Sequence, residues 1–198
     1  KHILISDLKL SDKFKPIIWG KEFNQYSKNW GGQFINYDND IIKTITLYDI
    51  KSKEGMKKQN RIDFALRTPD LFETPKILVR KTGDRFIATK DLDNFYFDTL
   101  VHGIYKTNDD YSLNYLLTIL NSKSATFLYR LLHDIKGKVF AKISLDKLGA
   151  FPLPQSSNIE KKNLELLGST MLELKPAFDT ITTKFTHFFQ SSYALQKL

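Results

Sequence analysis

Apolar positions change period along this chain. Between Pro75 and Tyr105 they fall in short runs, Ile77-Leu78-Val79 and Phe86-Ile87-Ala88 among them, bounded by charges and by the turn formers Gly83-Asp84 and Asp93-Asn94. That pattern predicts three strands, Lys76 to Lys81, Arg85 to Lys90 and Thr99 to Tyr105, joined by turns. From Ser112 the period lengthens. Leu113, Leu116, Leu117, Leu120, Ser124, Phe127, Leu128 and Leu131 recur every three or four residues, which predicts an amphipathic helix from Leu113 to Leu132 with a broad buried face.

The last section is more regular still. Leu164, Leu167, Met171, Leu174, Phe178, Ile181, Phe185, Phe188, Ser192 and Leu195 alternate steps of three and four, a heptad stripe that favours packing along one helical seam. Pro176 lies off the seam but lacks a backbone donor and crowds the preceding turn. Two helices sharing one stripe are therefore expected, with Pro176 in the first turn of the second. The aromatic content of the stripe, with Phe189 beside it, predicts burial against another element. Upstream, to about Asp70, aromatics and turn formers alternate: Gln33-Phe34-Ile35-Asn36-Tyr37 and Thr44-Ile45-Thr46-Leu47 read as short strands, and Lys51 to Lys58 as an exposed loop. No internal repeat or low-complexity tract is present.

Composition narrows the function classes. A chain of 198 residues, 41% hydrophobic and 13% aromatic, has the make-up of a globular protein rather than a disordered one. Its formal charge of +8 arises from 30 basic against 22 acidic residues, and arginine occurs only at positions 61, 67, 80, 85 and 130. An excess of cations suits a polyanionic partner. Absence of cysteine removes disulfides, thiolate zinc sites and a cysteine nucleophile. No apolar stretch reaches the roughly 18 to 20 residues of a membrane helix, and Lys1 to Asp7 carry no signal-peptide core. A cytoplasmic location is the expectation. The missing initiator methionine suggests a piece of a longer polypeptide, although processing or a removed tag would look the same.

Candidate chemistry is concentrated in the cations. Lys76, Arg80, Lys81 and Arg85 flank the predicted hairpin, where alternate side chains share a face and can meet phosphates; the same residues also fit solvated strand ends. Lys136-Gly137-Lys138 sets two lysines about a glycine that permits close backbone approach, with Lys142 following; a charged turn would look alike. Trp19, Tyr26 and Trp30 lie among Lys21 and Lys28, a mixture suited to stacking on a base, although core packing is the commoner role of large aromatics. Pro69-Asp70 with Asp134-Ile135-Lys136 has the acidic and lysine elements of a restriction nuclease, but such triplets arise by chance in lysine-rich chains. His2, His102, His133 and His187 lack ligand spacing. Neither a catalytic nor a metal-binding residue is expected.

The order Phe14-Lys15-Pro16-Ile17-Ile18-Trp19-Gly20-Lys21-Glu22, Asp70 to Arg80, Leu120-Asn121-Ser122-Lys123 and Phe151-Pro152-Leu153-Pro154 resembles the TaqI-like C-terminal specificity domain. That family supplies the target-recognition domain of adenine-N6 DNA methyltransferases and of fused restriction-modification enzymes. Ile143 to Pro154, followed by heptad helices, is also similar to the specificity subunits of type I restriction systems, whose recognition domains are joined to long spacer helices. The resemblance implies a helix-end or packing role for Asn121 and Ser122. It further implies duplex DNA as partner and a linked methyltransferase domain that holds S-adenosylmethionine, since this chain has neither an Asn-Pro-Pro-aromatic motif nor a glycine-rich cofactor loop.

An α+β fold follows: a small, twisted, mainly antiparallel sheet with a packed helix and a C-terminal helical tail. The expected division is a target-recognition domain at 1–155 and a tail at 156–198. DNA contacts are expected from Lys21, Lys28, Lys76, Arg80, Lys81, Arg85, Lys136, Lys138 and Lys142. The alternative is a protein-interaction module that self-associates or docks a partner through the heptad helices.

Overall fold

A computed structural model describes residues 4–38, 67–106, 110–133 and 142–195. The fold is α+β, with the antiparallel pairing of the described residues distributed over three small sheets. The first has the order β1-β5-β2-β8, built from β1 (Ile5–Ser6), β5 (Phe34–Asn36), β2 (Phe14–Ile18) and β8 (Tyr96–Phe97), and β8 alone runs parallel to its neighbour. A two-stranded hairpin, β3 (Phe23–Asn24) with β4 (Ser27–Lys28), turns through Tyr26 at φ 63°. The third sheet places β6 (Lys76–Arg80) between β7 (Ala88–Asp91) and β9 (Val101–Tyr105), both antiparallel to it. The three strands expected between Pro75 and Tyr105 are therefore present. The expected strand at 44–47 and the polar loop at 51–58 lie outside the described residues.

Central β6 is buried on both faces, which is why Ile77-Leu78-Val79 reads as an unbroken apolar run. Ile77 and Val79 face the helices and join Phe86, Ala88, Leu113, Leu117, Leu120, Tyr129 and Phe151 in one core. Leu78 faces the other way, with Ile18, Phe23, Phe95 and Val101. A third cluster, Leu4, Ile17, Ile35, Phe72 and Tyr96, closes the first sheet; the rings of Phe72 and Tyr96 stack at 4.4 Å.

The helix expected from Leu113 to Leu132 is two helices, α1 (Leu113–Leu120) and α2 (Lys123–His133). Asn121 ends the first, and its side chain makes a two-sided backbone-like pair with β7, accepting from the Ala88 amide at 3.0 Å and donating to the Ala88 carbonyl at 2.9 Å. Ser122 then caps the second, its hydroxyl accepting from the Ala125 amide at 3.0 Å. The helix-end and packing role suggested by the resemblance is the geometry of both residues.

After the short α3 (Leu145–Gly149), α4 runs without a break from Asn158 to Leu195. It starts on a capping box in which Ser157 and Glu160 exchange bonds: the Ser157 amide reaches the Glu160 carboxylate at 2.8 Å, and the Glu160 amide the Ser157 hydroxyl at 3.3 Å. The expected division at Pro176 is corrected, because Pro176 lies inside this helix. A buried or bonded residue holds the helix on each side of the proline: Leu172 packs on the core, and Asp179 pairs with Lys175 and accepts from the Ser27 hydroxyl at 2.7 Å. Those attachments oppose the cost of a proline inside a helix, about 3 kcal/mol for the lost hydrogen bond and the ring clash together.

Beyond Leu164, the face of α4 that docks is not the heptad seam. Leu164, Gly168, Leu172 and Asp179 meet α1 and the β3–β4 hairpin, whereas Leu174, Phe178, Ile181, Phe185 and Phe188 are 60–67% exposed. The expected burial of those phenylalanines is thereby corrected. The reason is geometric, since the docked face turns on a glycine that a hydrophobic periodicity does not mark. No described helix is long and apolar enough to cross a membrane.

Candidate nucleic-acid interface

The two ends of β6 carry opposite arrangements of charge. At its start, Lys76 is wholly buried, its ammonium 2.6 Å from Asp91 Oδ2 and donating to the Phe72 carbonyl. Burial pushes the Lys76 pKa below the ordinary lysine value, with Asp91 opposing that shift. Asp91 also accepts from the amides of Asp93 at 2.9 Å and Phe95 at 3.0 Å, and stands 3.6 Å from the Lys28 ammonium. Lys28 is itself 2.6 Å from Asp93 and lies over the Phe95 ring. Lys76 is corrected as a phosphate contact, because it is inaccessible and paired with Asp91; Lys28 is held by Asp93 and Asp91 within the fold.

At the far end, β6 delivers Arg80 to a surface cleft of about 410 Å³ lined by Trp19, Lys21, Gln33, Thr82, Asp98 and Leu100. Three segments are brought there by the topology: the turn after β2, the approach to β5 and the loop from β8 to β9. Lys81 lines a second, smaller hollow that shares Asp98 with the first and also includes Arg67 and His102. Thr82 bridges in antiparallel fashion to Lys142, and the Ile143 amide donates to the Lys81 carbonyl at 2.7 Å, so Lys142 is exposed beside the cleft. Arg85 is exposed on the Gly83-Asp84 turn, close enough that its charge depresses the Arg80 pKa, second to burial. The structure thus gathers Lys21, Arg80, Lys81, Arg85 and Lys142 at one end of the sheet. Lys136 and Lys138 lie outside the described residues.

The walls are fixed by their own bonds. The Trp19 indole is half-buried and donates to Gln33 Oε1 at 2.9 Å, while the Gln33 amide nitrogen donates to Asp7 at 3.1 Å. Trp30 takes the packing role, donating to the Ile17 carbonyl at 2.8 Å and meeting Phe34 edge-on at 5.2 Å. His102 is buried with Nε2 donating to the Ile143 carbonyl at 2.8 Å; burial first, with the charges of Lys81 and Arg67, holds its pKa below the usual histidine value against the opposing effect of that bond. Gln33, Thr82, Asp98 and Arg67 are absent from the expected site, because nothing in their local sequence sets them apart. Asp70 is exposed on a short 3-10 turn, and Asp134 and Lys136 of the nuclease-like triplet are outside the described residues. Among the described residues no group of three His, Cys, Asp or Glu side chains could hold a metal ion.

No curated protein matches the chain. A family model, the TaqI-like C-terminal specificity domain, matches residues 15–153, which takes in all three sheets but for β1, together with α1, α2 and α3. By that match over well more than half its length, the chain belongs to the TaqI-like C-terminal specificity domain family of restriction-modification systems.

Proposed function

We propose that this chain reads duplex DNA sequence for a linked adenine-N6 methyltransferase domain. One observation carries the reading: Lys21 and Arg80 line one cleft, Lys81 lines the hollow beside it, and Arg85 and Lys142 stand exposed on the adjoining segments, none of them in an ion pair among the described residues, while Lys28 and Lys76, at the other end of β6, are paired with carboxylates. Flexible cations at a rim bind phosphates and fix register; a recessed polar cleft reads base edges. On this reading, S-adenosylmethionine and the flipped adenine would belong to the linked domain. The chain's own residues bind and orient DNA.

Salt titration of duplex binding tests this. Affinity falls as salt rises, and Lys81→Gln or Lys142→Gln each lower the slope of log K against log salt by about 0.9, the value for one phosphate contact. Each weakens all duplexes alike. A chain that binds no duplex, or binds with no salt dependence, refutes the reading.

The exposed stripe of α4 supports a second role beside the first, pairing with another copy of this chain. From Leu167 to Phe188 it extends about 32 Å at 1.5 Å per residue, long enough for a two-helix seam, and Asp179, one of few charges nearby, is already engaged by Lys175 and Ser27. Light scattering should give a dimer that Leu174→Glu and Ile181→Glu convert to monomer with DNA binding intact. A monomer for the unaltered chain ends this second reading.

A further inference from the structure

Arg80 is held unlike the cations around it. Its guanidinium Nη2 donates to the Phe23 carbonyl, the group lies 5.8 Å over the Phe23 ring, and Nε is buried without a partner among the described residues. No carboxylate among the described residues forms an ion pair with it. The protein therefore holds the fork against Phe23, removes part of its water and gives it no ion pair among the described residues, so the guanidinium donors that Phe23 does not take can meet a ligand.

The chemistry of the cleft selects among ligands. Asp98, whose Oδ1 accepts the Leu100 amide at 2.9 Å, contributes a carboxylate to the lining, which opposes a phosphate there. Gln33 and Thr82 contribute neutral hydrogen-bonding groups, and Trp19 a flat apolar wall. A rigid arginine fork among such groups matches two adjacent neutral acceptors in one plane. In duplex DNA those are O6 and N7 of guanine.

Resting on the DNA-reading function above, we propose that Arg80 is a specificity-determining residue that reads one guanine in the recognised site, with Phe23 as its positioning residue. Lys21, Lys81, Arg85 and Lys142 then supply affinity without sequence information, and Arg80 supplies sequence information with little share of the salt dependence.

Selection of bound sites from random duplexes by the full chain and by Arg80→Lys and Arg80→Gln tests the assignment, with thermal melts confirming that each variant is folded. Arg80→Lys keeps the charge and the stem over Phe23 but loses the fork. It should lose preference for guanine at one position, by about 5- to 100-fold, with the salt slope unchanged. Arg80→Gln should shift that position towards adenine, whose N6 and N7 suit a side-chain amide. If Arg80→Gln does not fold, the lysine variant carries the test. An unchanged site for either variant overturns this assignment and leaves the DNA-reading function standing; a slope lowered by about 0.9 in Arg80→Gln then makes Arg80 a phosphate contact, and an unchanged slope there makes it structural. No enriched site for the unaltered chain overturns both.

Discussion

Asp91→Ala should destabilise the domain by about 3–5 kcal/mol, the cost of leaving one member of a buried ion pair alone. The Lys76 ammonium, 0% exposed, would keep the Phe72 carbonyl as its remaining close acceptor. The amides of Asp93 and Phe95, which both bond the lost carboxylate, would lose their acceptor in the turn before β8. Lys76→Met is the milder change, since Asp91 retains two amides and the Lys28 ammonium at 3.6 Å. Combining Lys76→Met with Asp91→Asn removes both charges and keeps an acceptor for the turn. The double variant should recover most of the loss, because a buried pair replaced as a unit is often neutral. Urea unfolding of the unaltered chain, Lys76→Met, Asp91→Asn and the double variant, read as a double-mutant cycle, measures the coupling. A loss under about 1 kcal/mol for Asp91→Ala would show that water reaches the pair.

That pair marks a boundary of what the sequence makes legible. The strand itself is plain in Ile77-Leu78-Val79, but a lysine just before such a run looks like a solvated terminus. Only the register that sets Lys76 opposite Asp91 turns it inward, and register is a property of two strands together. Asn121 and Ser122 sit in the predicted helix as two polar residues; their place at a helix junction depends on Ala88 of β7 being within reach. The cleft was partly legible, through Trp19, Lys21 and the cations following β6. Gln33, Thr82 and Asp98 reach it by chain topology, which no local spacing encodes. By contrast, Ser157 and Glu160 have the spacing of a capping box, so the start of α4 could be read from the sequence.

Gly168→Ala reverses the usual sign of a helical glycine substitution. In an open helix the change stabilises by about 0.5–1 kcal/mol, because alanine loses less backbone freedom on folding. Here an added Cβ would stand 2.5 Å from Thr118 Oγ1 and 2.7 Å from the Asn114 carbonyl oxygen, closer than such contacts occur. Thr118 has little room to turn away, since its hydroxyl is also 2.9 Å from the Leu164 carbonyl, and the Asn114 oxygen is backbone. The helices must therefore separate, weakening the Asn114 to Ser169 bond of 2.7 Å and the packing of Leu172, for a net cost of about 1–3 kcal/mol. Gly149, at the end of α3 with nothing within 4 Å of its would-be Cβ, is the control: Gly149→Ala should be neutral or slightly stabilising. Stabilisation by both substitutions would mean that α4 is not docked on α1 in solution. Destabilisation by Gly168→Ala alone would show that a close helix contact, rather than the heptad seam, joins the tail to the specificity domain and leaves that seam open.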